Sequence, residues 1–272
     1  MYKGCTDIVL TDKELARFYE GKEADLVSLE NEYLLLKNTE NEVIDKYCFQ
    51  NNKLRKVKYK QIDNSFSGII KPKNAQQECA MDMLQDRTSK IKVITGCFGS
   101  GKDFLMITHA LHFIRQGMFE KIVWVRNNIE VKNTVPIGAL PGELFDKLLY
   151  FAMPVADHVG GLYGLERLLT ENKIEVQHLG FIRGRDIKNS IIISSEAENL
   201  TKEHVQLLIG RVGQGSELWL NGDNKQTDKE IFKTSSGLKI AIEKLKGQKL
   251  FGYVHLEKSE RSETARLADL LD

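Results

Sequence analysis

One stretch constrains the fold more than any other: an apolar run, a glycine-rich turn and a helical pattern follow one another without a gap. Ile91-Lys92-Val93-Ile94-Thr95 has the composition of a buried strand, and Phe104 to Gln116 carries helical periodicity. Between them lies Gly96-Cys97-Phe98-Gly99-Ser100-Gly101-Lys102-Asp103. Glycines let the backbone fold around an anion. Successive N–H groups then point at it from a helix N-terminus with its partial positive charge, and Lys102 adds a mobile cation. Glycine-rich turns without function do occur, but strand, Gly-Lys and helix together favour a phosphate-binding loop. Gly96, Cys97, Phe98, Gly99, Ser100, Gly101, Lys102 and Asp103 are therefore candidate nucleotide-binding residues. The last of them departs from the usual pattern, putting a carboxylate where such loops place a Ser or Thr hydroxyl.

A chain of 272 residues has room for one large α/β domain and a small accessory region. Its net charge is +1, so affinity for nucleic acid has to come from a local basic surface. Cys5, Cys48, Cys79 and Cys97 form no Cys-x-x-Cys pair, which fits a reducing compartment and argues against a disulfide framework or a zinc site. His109 and His112 share a helix face but read as ordinary core or surface residues. No apolar run approaches membrane-spanning length, and Met1-Tyr2-Lys3-Gly4 does not open a signal peptide. A cytoplasmic location is expected.

Residues 1–70 read as a small β-rich accessory region, and 71–272 as the main domain. Thr11-Asp12-Lys13-Glu14 is a capping box that starts a helix running to Tyr19. Glu32 to Leu36, Val43 to Phe49 and Leu54 to Tyr59 then read as strands. In the last, Lys56, Lys58 and Lys60 share one face, either solvated or a track for nucleic acid, the solvated face being the plainer reading. From Ile91 onward, β-type segments (Ile91 to Thr95, Lys121 to Arg126, Ile174 to Leu179, Ser190 to Ser194, Glu217 to Asn221, Leu250 to Leu256) alternate with helical ones. This alternation predicts helices flanking a mainly parallel sheet. Pro136 to Glu143 is turn-prone and reads as an insertion, a lid, a subunit contact or a plain connection, followed by helices over Leu144–Val159 and Leu162–Thr170.

Two further strand ends carry chemistry. Ser190-Ile191-Ile192-Ile193-Ser194-Ser195-Glu196-Ala197-Glu198-Asn199 is a buried strand ending in acid, where Glu196 is placed to polarise a water for attack on a terminal phosphate. Trp219-Leu220-Asn221-Gly222-Asp223-Asn224-Lys225-Gln226 leads a second strand into a turn that carries the carboxylate of Asp223 and the amide of Gln226.

These motifs, with Lys71-Pro72-Lys73-Asn74-Ala75-Gln76-Gln77, Leu140-Pro141-Gly142-Glu143, Phe181-Ile182-Arg183-Gly184-Arg185, Arg211-Val212-Gly213 and Glu260-Arg261-Ser262-Glu263, make the chain resemble the PhoH-like family of P-loop ATPases over nearly its whole length. The resemblance implies a RecA-like P-loop NTPase core of α/β class, ATP and Mg²⁺ as cofactors, ATP hydrolysis, a homo-oligomeric ring such as a hexamer, and action on single-stranded RNA or DNA. It places Gln77 on the adenine side. The N-terminal region resembles the connector that joins a PIN ribonuclease domain to the ATPase in longer relatives; no PIN-like acidic cluster precedes it here, so nuclease activity is not expected. Three positions depart from the family pattern: Asp103 for Thr or Ser, Ser195 for Asp, and Glu198 for Gln. Asp103 and Ser195 look like one exchange, in which Asp103 binds Mg²⁺ directly and Ser195 holds a metal-bound water. Independent decay of the site is the alternative, and a nucleotide-binding ring with weak or no hydrolysis is the corresponding alternative function. Arg211 and Arg261 are candidates for nucleotide sensing; Arg183 and Arg185 are candidates for a subunit or nucleic-acid contact.

Overall fold

The computed structural model describes residues 2–21, 26–64, 66, 68–126, 151–223 and 236–260. Pro136 to Glu143, residues 144–150, Gln226 and Arg261 lie outside the described residues.

The chain opens with strand β1 (Cys5–Val9), helix α1 (Asp12–Tyr19), and strands β2 (Glu32–Lys37), β3 (Val43–Gln50) and β4 (Lys53–Lys56), which form a sheet in the order β1-β2-β3-β4. Thr11 caps α1 through the expected reciprocal box with Glu14. Sequence patterning did not reveal β1, which pairs parallel to β2. The last strand is shorter than predicted. Val57 N–H still reaches the Lys46 carbonyl at 2.9 Å, but the Lys58 N–H turns to Asp82 Oδ1 at 2.8 Å and the Lys60 N–H to Gln85 Oε1 at 2.8 Å. A buried carboxylate on the next helix thus draws the chain off the sheet. Lys56, Lys58 and Lys60 remain exposed. The short strands β5 (Asp63–Asn64) and β6 (Gly68–Ile69) pair with each other.

Then come α2 (Ala75–Gln85), β7 (Ile91–Gly96), α3 (Lys102–Arg115) and β8 (Lys121–Arg126). A one-turn helix α4 (Met153–Ala156) and helix α5 (Gly161–Thr170) lead to β9 (Ile174–His178) and β10 (Ser190–Ser194). The chain continues with α6 (Lys202–Ile209), β11 (Glu217–Gly222), α7 (Gly237–Leu245) and β12 (Phe251–Leu256). Within the described part of the Leu144–Val159 pattern, Phe151 is helical and Met153–Ala156 forms α4, and Gly160 and Gly161, at φ +82° and +81°, separate it from α5.

All pairings in the main sheet are parallel, in the order β12-β7-β11-β10-β8-β9. Both faces are covered, which is why strands such as Ser190–Ser194 are apolar without alternation. Ile191 and Ile193 pack with α2 and α3 on one side; Ile192 packs with α6 and α7 on the other. This is the RecA-like P-loop architecture. The N-terminal sheet is tied to it through Asp82, which accepts Tyr33 Oη at 2.8 Å and both Arg55 terminal nitrogens at 2.7 Å. No helix among the described residues is long and apolar enough to cross a membrane.

Candidate functional site

Parallel strands place all their carboxyl ends on one edge, and ligands of such sheets bind outside it. β7 delivers the glycine-rich loop there. Gly99 and Gly101 adopt φ of +70° and +92°, in the left-handed region that side chains disfavour. Gly101 N-caps α3 without a side-chain hydrogen bond, so the first-turn N–H groups of the helix are left for an anion. Lys102 Nζ donates to the Gly96 carbonyl at 2.7 Å and to the Cys97 carbonyl at 2.9 Å, folding over the loop.

The loop is braced from two sides. Gln77, buried at the start of α2, donates to the Ser100 carbonyl at 3.0 Å and accepts the Lys73 N–H at 2.8 Å. From the far side, the Glu260 N–H bonds the Gly99 carbonyl at 3.0 Å, and Asn74 Nδ2 holds the Glu260 carboxylate at 2.8 Å. The predicted adenine-side glutamine therefore sits against the loop itself. Phe98 is exposed, and Cys97 is half-buried with its Sγ 3.9 Å from the Glu257 carbonyl.

Strand order sets the second half. β7 and β10 are not neighbours; β11 runs between them, so they stand about 10 Å apart. Asp103, in the first turn of α3, spans part of that gap: Ser195 Oγ donates to its Oδ1 at 3.2 Å. Glu196 follows at φ +53°, exposed, in an ion pair with Arg126 from the end of β8. Glu198 is buried and accepts the Asp223 N–H at 3.1 Å. Burial, reinforced by the Glu196 charge and opposed by backbone donors and Lys102, raises its pKa to about 7. The packing there is close, since a Cβ on Gly222 would lie 2.5 Å from Glu198 Oε2. His158 stacks edge-on against Phe104, its ring centroid 5.6 Å away, and burial lowers its pKa although nearby Asp103 opposes the shift.

The loop, Asp103, Ser195, Glu196 and Asp223 thus gather at one edge. Arg211 does not. It follows α6, its carbonyl accepts the Ile187 N–H at 3.0 Å, and its Nη1 donates to the Arg185 carbonyl at 3.1 Å. These residues precede β10 and β11, at the sheet edge opposite the loop, so Arg211 lies away from the loop of its own chain. Arg185 pairs with Glu175 at 2.6 Å, whereas Arg183 is exposed. Sequence reasoning missed three site residues. Arg126 ends a predicted strand at the carboxyl edge, and Asn221 precedes the Gly222-Asp223 turn, so both carried a positional signal; His158 carried none.

Comparison with known proteins identifies the family. The family described as PhoH-like protein matches residues 69–268. Protein PhoH2 of Bacillus subtilis is 31% identical over 100% of this chain and 64% of its own length. Protein PhoH2 of Mycolicibacterium smegmatis is 32% identical over 79% of this chain and 50% of its own, and the PhoH-like protein of Bacillus subtilis is 31% identical over 61% and 52%. The chain therefore spans between half and two thirds of these relatives. With the family signature covering the loop, the acidic strand end and the parallel sheet that joins them, the chain belongs to the PhoH-like family.

Proposed function

We propose that this protein binds Mg·ATP in the 96–103 loop and hydrolyses it, working as a cytoplasmic homo-oligomer that couples nucleotide turnover to remodelling of single-stranded RNA or DNA. One observation carries the reading: strand order brings a braced phosphate loop, a carboxylate beside it and a second acidic turn to one edge of the sheet. In this reading Lys102 leaves the Gly96 and Cys97 carbonyls for the outer phosphates. Glu196, ion-paired with Arg126, takes the proton of the attacking water. Asp223, with Gln226 beyond it, reports the γ-phosphate, and Arg211 and Arg261 supply positive charge, Arg211 from a neighbouring copy.

The donor set fits a hard divalent ion. Asp103 and Ser195 offer a carboxylate and a hydroxyl oxygen, and among the described residues no group of three or more His, Cys, Asp or Glu side chains converges. Phosphate oxygens and water then complete the shell, as magnesium prefers. When bound, the ion neutralises charge on the β- and γ-phosphates.

The second reading is a nucleotide-gated ring without turnover, favoured by the altered residues Asp103 and Ser195. Phosphate release, measured with and without single-stranded RNA or DNA, separates them. A motor releases phosphate and is stimulated by polymer; ATP binding without release supports the switch.

A further inference from the structure

The two halves of the site meet on one oxygen atom. Asp103 Oδ1 accepts Ser195 Oγ at 3.2 Å and also Asn221 Nδ2 at 2.7 Å. Asn221 stands at the carboxyl end of β11, in register with Ile94 of β7; Ser194 is in register with Leu220, which brings Ser195 level with Asn221. Two adjacent strand ends, those of β10 and β11, therefore converge on the carboxylate that the first turn of α3 presents. The two donors are 5% and 2% exposed, so both are withdrawn from water, and the contact at 2.7 Å is typical of a donor to a charged acceptor.

A carboxylate in the first turn of a helix also complements the helix dipole. That role is served from any solvated position on the turn. It does not require a half-buried side chain held by neutral donors from two different strands. Among the described residues no lysine or arginine pairs with Asp103, and none donates to its Oδ2. One oxygen is thus fixed by the protein and the other is left for a cation beside the phosphate loop.

We propose, on the footing of the nucleotide reading above, that Asp103 supplies the charged protein oxygen for the divalent ion of the nucleotide, and that Asn221 is the positioning residue that aims it. The carboxylate stands on the helix, and Asn221 on the intervening strand orients it, because a primary amide donates to it without adding charge. Ser195 is the second donor, and its hydroxyl would hold a metal-bound water when the ion is present.

A carboxylate so placed has opposite effects in the two states of the ligand. With the ion present it is a ligand; without it, it repels the phosphates. The test is equilibrium binding of ATP to the full chain in Mg²⁺ and in EDTA, with thermal midpoints measured on each variant. Asp103→Asn is expected to weaken Mg·ATP binding about 10- to 100-fold and to strengthen metal-free ATP binding severalfold. Asn221→Leu, which keeps the volume and removes the donor, is expected to cut the affinity gain from Mg²⁺ about tenfold at unchanged metal-free affinity. Asn221→Thr, which retains a donor, recovers part of that gain. If Asp103→Asn moves both affinities in the same direction or neither, the carboxylate is not the ligand. If Asn221→Leu keeps the wild-type Mg²⁺ gain, Asn221 does not aim it. A wild-type protein that binds ATP in neither condition refutes the nucleotide reading itself, and this inference with it.

Discussion

Glu198 offers the sharpest test of the site's electrostatics, because replacing it with glutamine removes a charge while preserving shape. Its carboxyl is buried beside Gly222 and accepts the Asp223 N–H at 3.1 Å. Folding raises its pKa from 4.5 to about 7, chiefly through desolvation. A raised folded value means that the folded state holds a proton the unfolded chain has released, so stability falls as pH climbs from 4.5 towards 7. At 1.36 kcal/mol per pH unit, the full loss is about 3 kcal/mol. Glutamine never ionises and keeps an oxygen for the Asp223 N–H. Glu198→Gln should therefore match wild type near pH 4.5 and exceed it by about 3 kcal/mol at pH 8, roughly 6–10 °C in melting temperature for a chain of this size. Thermal unfolding of nucleotide-free protein from pH 5 to 8 reads this directly. Wild type and variant curves that run parallel across that range would refute the argument.

Three other outcomes follow from the same geometry. Glu196→Gln should retain ATP binding and lose at least about 100-fold in phosphate release, as expected when a general base is removed; unchanged turnover would pass the role to another acid, Glu198 first. Alkylation of half-buried Cys97 should slow when ATP occupies the loop, which mass spectrometry of labelled peptide detects. Asp82→Ala strips partners from Tyr33, Arg55 and the Lys58 N–H, so urea unfolding should show a loss of about 3 kcal/mol with ATP affinity unchanged.

Much of the main domain was legible because its signals are local. The strand, loop and helix over Ile91–Gln116 and the apolar runs that became β8, β10, β11 and β12 state their conformations within a few residues. What stayed hidden depends on strand order. That β11 runs between β7 and β10 makes Asn221 a partner of Asp103, and nothing adjacent to Asn221 in sequence says so. Arg126 and His158 reach the site across 70 and 55 residues of chain for the same reason. The place of Arg211 was not legible either: an eight-residue helix returning antiparallel to the strands delivers it to the edge opposite the loop. The truncated β4 reflects competition: the Asp82 carboxylate captured an N–H that patterning assigned to the sheet.

The central claim, that the loop is a nucleotide site built around Lys102, is tested most directly by equilibrium binding of Mg·ATP to wild type and to Lys102→Ala, with circular dichroism and melting temperature as controls. Among the described residues Lys102 hydrogen-bonds only carbonyls of its own loop, so its removal should leave the fold intact and weaken ATP binding at least about tenfold. Equal affinity in the two proteins, or no ATP binding by wild type, would contradict the account.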